Sequence, residues 1–229
     1  MENEDIASFA DDNTPYASGQ TSSVVINSLE NESRIMFRWL NSNHLKANPD
    51  KSRLLLNQKD TNLFAMIDNH IIDNREEVKL LGVIIDNDLT FDTHVSKLCK
   101  KASQKIHALS RVCNYMNIPQ RRIIMKSFIE SQFGYCPLVW MLHSRILNTR
   151  INKIHERALR LVYNDHTSTF IQLLAIDKSF TIHERNIQSL AIEIFKVIQG
   201  QSPDIMKNVF VLKSSQLYCS KQVFVGKKM

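Results

Sequence analysis

The chain has 229 residues, a formal net charge of +6, four cysteines, and only five glycines and five prolines. That length allows one large domain or two small ones around a buried core, and so little glycine and proline predicts much helix. No apolar run reaches the roughly 20 residues of a membrane span and no basic-then-apolar leader opens the chain, which predicts a soluble intracellular protein with no membrane partner. Cys99, Cys113, Cys136 and Cys219 form no CxxC pair, and the eight histidines form no HExxH spacing. A zinc site and a disulfide framework are therefore unsupported, and reduced buried thiols are expected.

Residues 6–10 (IASFA) and 14–17 (TPYA) flank Asp11-Asp12-Asn13, which predicts a hairpin with those three polar residues at its turn. Two adjacent carboxylates at a turn have two readings: ligands for a divalent cation, or a solvated hairpin tip. The polar stretch from Gly19 to Ser23 leads into a helix capped by Thr21 or Ser22. Val25, Leu29, Met36, Trp39 and Leu40 form its apolar face, and it should end near Asn43. Asn48-Pro49-Asp50 signals a turn, because proline pushes its predecessor out of helix. Lys51 to Leu56, Leu63 to Ile67 and Val78 to Ile85 read as three strands. Asp68-Asn69-His70 and Asp86-Asn87-Asp88 are turn clusters at strand ends. Residues 1–91 thus predict a small antiparallel sheet packed by one helix.

Beyond Asp92 the apolar period becomes helical. Val95, Leu98, Ala102, Ile106, Leu109 and Val112 step by three or four. Pro119 suits the first turn of a second helix running through Ile123, Ile124 and Phe128 towards Trp140. Leu147, Ile151, Ile154, Ala158 and Leu161 mark a third, and Ile182 to Ile198 a fourth, ended by Gly200. The expected class is α+β: a partial antiparallel sheet in 1–91, a helical bundle in 92–200, and a tail over 201–229 with a short helix at most.

Charge is unevenly spread. Residues 1–20 carry five acids and no base, whereas residues 92–163 carry thirteen bases and three acids. Lys97, Lys101 and Lys105 step by four and form one helical stripe. Arg150, Lys153, Arg157 and Arg160 form another, and Arg121 and Arg122 open the helix between. Three successive helices with bases off the apolar face suit a phosphate backbone, read by shape and charge. Solvated helix faces are the alternative, since Lys and Arg are good exposed helix formers.

The blocks FADD, WLNSNHLKANPDKSRLLL, VKLLGVIIDNDLTF, HVSKLCKKASQKIHALSRV, SFIESQFGYCPLVW and RINKIHERALRLVYND occur in this order. Together they resemble the reverse transcriptases of non-LTR, LINE-type, jockey-like retrotransposons over roughly residues 5 to 200. The resemblance implies an RNA-directed DNA polymerase whose palm ends near residue 91 and whose thumb follows. It implies Mg²⁺ bound at the palm hairpin by Asp11, with Asp12 a second ligand or a structural acid. Phe9 stands where the family more often has tyrosine. Lys51 best matches the palm lysine that assists the leaving pyrophosphate, and Lys46 is second. Leu81 and Gly82, within LLGVIID, match the strand pair that positions the primer end. The helical region matches the thumb, which grips an RNA–DNA or other duplex. Nuclear residence would follow from the intact element's way of life. Only ten residues precede Asp11, so the fingers and an earlier metal-binding aspartate are not in this sequence. These 229 residues are therefore expected to be inactive alone, and a basic nucleic-acid-binding module or a non-functional relic are the alternatives.

Overall fold

The computed structural model describes residues 6–57, 63–67 and 69–210, a mixed α+β chain of short antiparallel hairpins and eight α-helices. It divides into two compact units, Met1–Leu89 and Thr90–Met229. No helix among the described residues is long and apolar enough to cross a membrane. The expected tail falls mostly on residues 211–229, outside the described residues.

In the first unit, β1 (Ile6–Phe9) pairs antiparallel with β2 (Asp12–Pro15), with Phe9 opposite Asp12. The turn is therefore Ala10-Asp11, not Asp11-Asp12-Asn13. Ala10 takes φ +54°, a left-handed backbone that disfavours Cβ-bearing residues. Asn13 still serves the turn, since its side chain accepts from Ser8 Oγ at 2.7 Å.

Helix α1 (Ser22–Ser42) starts where the Thr21 hydroxyl accepts from the Val24 amide at 3.4 Å. Its last turn is closed by Asn43 Nδ2 donating to the Trp39 carbonyl at 2.8 Å. Phe37 is the apolar side chain it buries, packed with Leu54, Leu56, Ala65, Ile67 and Ile72, while Val25, Leu29, Met36 and Leu40 border that cluster. Trp39 departs from the expected core face, at 46% exposed. Phe37 falls with the buried Ser33 on one side of the arc set by Met36 and Leu40, and Trp39 falls on the other side, towards solvent.

The segment Lys51 to Leu56 is not a strand. A 3₁₀ turn (Pro49–Lys51) is followed by a single parallel bridge, Leu54 to Asn74. The buried Asn74 side chain fixes this crossing by accepting from the Leu56 amide at 3.0 Å. β3 (Phe64–Ile67) and β4 (His70–Asp73) form a second hairpin. Of the expected turn cluster, Asp68 lies outside the described residues, Asn69 takes φ +66°, and His70 already opens β4. Glu30 of α1 accepts from the Met66 amide at 2.7 Å, tying helix to hairpin.

The expected single strand Val78 to Ile85 is instead a third hairpin, β5 (Glu77–Leu80) and β6 (Val83–Asp86). Leu81 and Gly82 turn it at φ +45° and +90°. Two positive-φ residues in a two-residue loop match the right-handed twist of a hairpin. Glycine accepts this freely, and leucine at a cost of about 1–2 kcal/mol. The three hairpins are separate two-stranded sheets, so the expected continuous sheet is not formed among the described residues.

The second unit is helical. α2 (Asp92–Val112) buries His94, Val95, Cys99, Ala102, Ile106 and Leu109. Leu98 is only half-buried and Val112 is exposed. α3 (Ile118–Ile124) opens on a capping box between Asn117 and Gln120, with Pro119 in its first turn. It widens into a π-turn (Met125–Ile129) and tightens into a 3₁₀ turn (Glu130–Phe133). The helix expected to reach Trp140 therefore breaks at Gly134. Pro137 opens the short α4 (Pro137–Trp140), and Cys136 before it is left-handed at φ +45°. Proline excludes its predecessor from right-handed helix, which explains the interruption.

α5 (Arg145–Tyr163) is capped by Ser144 and buries Leu147, Ile151, His155, Ala158, Leu159 and Val162. α6 (Phe170–Asp177), absent from the sequence expectation, and α7 (Ile182–Ile198) both carry capping boxes, from Thr169–Gln172 and Thr181–Glu184. α8 (Ile205–Val209) follows.

Candidate nucleic-acid interface

α2 and α5 pack side by side and run in the same direction. Near their starts, Arg150 Nη1 donates to Ser96 Oγ at 3.0 Å. Near their ends, Arg121 links them: its Nε donates to the Cys113 carbonyl at 2.8 Å and its Nη1 to the Val162 carbonyl at 3.5 Å. Both helices bury an apolar stripe, so their remaining faces carry the charge. Lys97, Lys101, Arg150, Lys153 and Arg157 are exposed there. Lys100 and Arg111 join them. Positions 97, 100, 101 and 111 share one helical face, a pattern missed when only steps of four are followed.

The acids of this region do not offset those bases. Glu130 is buried and accepts from Arg185 Nη1 through Oε2, while its Oε1 meets His155 Nε2 at 3.1 Å. Burial pushes the Glu130 carboxyl up, but the His155 and Arg185 hydrogen bonds outweigh this and hold it down at about 2. Glu156 pairs with Arg160 Nη2 at 2.6 Å. Two of the three acids in residues 92–163 are thus engaged internally.

Several predicted bases are also engaged. Arg160 donates to the Asp165 carbonyl at 3.3 Å and the Ser168 carbonyl at 2.8 Å, holding the loop between α5 and α6. Lys105 is half-buried, with Nζ 4.4 Å from the centre of the Phe128 ring. Arg121 bridges helix ends, as above. Arg122 Nε donates to Asp177 Oδ1 at 2.6 Å, and its Nη2 to the Asp177 carbonyl at 2.6 Å. The reading of Arg121, Arg122, Lys105 and Arg160 as freely presented bases is corrected accordingly. Long guanidinium side chains satisfy helix-end carbonyls and buried carboxylates before they reach solvent.

Asp177 anchors a second network. Tyr163 Oη donates to its Oδ1 at 2.7 Å, and Lys126 Nζ lies 3.8 Å from its Oδ2. Burial raises the Asp177 carboxyl, and bonds from Arg122 and Tyr163 then bring it below its ordinary range. Burial, followed by the bond to Asp177, pushes the Tyr163 hydroxyl up to about 12. Neither network has a pattern that single-sequence reasoning detects, because Arg122–Asp177 and Arg185–Glu130 each span 55 residues.

Burial lowers His94, and the nearby Lys101 and Lys97 lower it further.

In the first unit, Asp11 occupies the turn and Asp12 opens β2, and both are exposed. Among the described residues no group of three or more His, Cys, Asp or Glu could hold a metal ion. The pair alone does not fit a two-ion site, which needs carboxylates clamping both ions about 4 Å apart. Lys51 ends the 3₁₀ turn and is exposed, as is Lys46. Leu81 and Gly82 form the tip of the third hairpin, where both are exposed. Comparison with protein-family models, curated proteins and solved structures returns no match for this chain.

Proposed function

We propose that the helical unit holds a nucleic-acid duplex along the outward faces of α2 and α5. The observation that carries this is the fate of the charges. Lys100, Lys101, Lys153 and Arg157 are exposed and make no ion pair among the described residues, whereas Glu130 and Glu156 are taken up internally. Two parallel basic ridges suit sequence-independent contact with phosphates. An RNA–DNA duplex labelled for fluorescence anisotropy should bind at low salt and dissociate steeply as salt rises. Affinity indifferent to salt, or no binding to any duplex, refutes the proposal.

The lineage proposed for the chain is the C-terminal palm and thumb portion of a non-LTR reverse transcriptase, supported by the order of the sequence blocks from FADD onward. On this reading Asp11 and Asp12 are the pair that would hold Mg²⁺ together with carboxylates supplied from outside the described residues. Lys51, Leu81 and Gly82 keep the roles that the resemblance implies. The 229 residues alone should extend no primer. Incorporation of nucleotides that disappears in Asp11→Ala would overturn that expectation.

A further inference from the structure

Where the 3₁₀ turn Pro49–Lys51 leaves the first unit's core, the following residues cross β4 at one point only, the bridge between Leu54 and Asn74. The Arg75 amide donates to the Leu54 carbonyl at 3.0 Å, closing that crossing. Upstream of it the two segments diverge and leave a polar cleft of about 200 Å³, lined by Asp50, Ser52, Arg53, His70, Asp73 and Arg75 among others. β4 pairs with β3 on its other edge, so among the described residues its cleft-side edge has no strand partner before Asn74.

The cleft is rich in unused donors. Arg53 Nη1 donates to the Asp50 and Ser52 carbonyls at 2.6 Å each, which fixes the guanidinium at the mouth with Nη2 and Nε to spare. The Arg75 guanidinium, the His70 ring and the Ser52 hydroxyl make no hydrogen bond or ion pair among the described residues. Two forked guanidiniums, an imidazole and a hydroxyl form a donor set suited to a phosphate group. Asp50 and Asp73 stand at the same cleft without pairing to either arginine. Two carboxylates would repel a bare phosphate dianion, but they accept from hydroxyls.

We infer that this cleft binds a small phosphate monoester that carries hydroxyl groups beside the phosphate, with Arg53, Arg75 and His70 on the phosphate and Asp50 and Asp73 on the hydroxyls. The site lies in the first unit and is independent of the basic faces of α2 and α5. A sugar phosphate and a nucleotide share the required chemistry.

The test is titration of the full chain, followed by NMR shifts of the Ser52, His70 and Arg75 amides. The probes are ribose 5-phosphate, adenosine monophosphate and inorganic phosphate. Ribose 5-phosphate should saturate at millimolar concentration and bind more tightly than inorganic phosphate. R75Q and H70Q, separately, should each weaken it by about tenfold. The exposed arginine and histidine can be replaced without opening the core, and far-UV circular dichroism checks this. K153Q/R157Q should leave the titration unchanged. Tighter binding of adenosine monophosphate assigns the site to a nucleotide, and equal binding assigns it to the sugar phosphate alone. No saturable shift, equal affinity for inorganic phosphate, or indifference to R75Q and H70Q would each overturn the inference.

Discussion

The two units carry their candidate chemistry on very different supports. In the first, the acidic hairpin β1–β2 has no buried residue: Phe9 is 66% exposed and both aspartates face solvent. A two-stranded hairpin with so little packing is marginal in water. In the second, the basic residues ride on α2 and α5, whose inner faces include Val95, Ala102, Ala158, Leu159 and Val162 at 0% exposure. A packed helix holds its outer face in place whatever that face carries. The duplex-binding proposal therefore rests on a stiff scaffold. The metal-binding proposal rests on an element that needs neighbours to be stiff.

Breaking the second unit's interior should have the largest effect. Glu130→Ala leaves the buried His155 and the half-buried Arg185 without their carboxylate, which costs about 3–5 kcal/mol. Urea unfolding followed through the fully buried Trp140, in a Trp39→Phe background, measures it. Phe9→Ala should stay within about 0.5 kcal/mol, read by urea unfolding through the first unit's own Trp39. A comparable loss at Phe9 would erase the contrast between the units.

Acid titration sharpens the same point. Folded Glu130 stays ionised down to about 2, whereas the unfolded carboxyl takes its proton near 4.5. In that window the unfolded chain binds more protons, so stability rises with pH. The contribution is fully present above pH 4.5 and is lost as pH falls towards 2. Its size is on the order of 3 kcal/mol. Glu130→Gln should flatten that part of the stability profile. An unchanged profile would mean that the carboxylate is not held as described.

Smaller effects are expected at the Leu81-Gly82 turn. Gly82→Val places a β-branched side chain at φ +90° and should cost about 1–2 kcal/mol. Leu81→Asn should gain about 0.5–1 kcal/mol, because asparagine tolerates the left-handed region better. Hydrogen exchange of the β5 and β6 amides reads both.

The legible parts of the fold were those written in local rules. The limits of α1, α5 and α7 follow from caps and from apolar steps of three and four, and the course of α2 from its apolar steps alone, since Phe91 at its start offers no side-chain cap. Val78 to Ile85 reads as one strand because a single apolar run hides a two-residue turn, and Gly82 is its only marker. Lys51 to Leu56 has strand composition but lacks a strand partner, a long-range fact settled by Asn74. The break before α4 was present in Cys136-Pro137 but was overridden by the apolar residues around it. For the interface, the position of each base on its helix could be read, but not whether it was free. Arg122 and Arg160 look like their exposed neighbours in sequence, and only their partners at Asp177 and in the Asp165–Ser168 loop distinguish them.

That distinction gives the most direct test of the central claim. Duplex affinity is measured against salt for the parent chain, for K101Q/K153Q/R157Q and for R160Q. Each lost phosphate contact lowers the log–log slope by roughly 0.9 for B-DNA, so the triple variant should lose about 3 units of slope. R160Q should lose stability while its slope stays unchanged. Equal slopes in the parent and the triple variant would contradict the assignment of α2 and α5 as the nucleic-acid face.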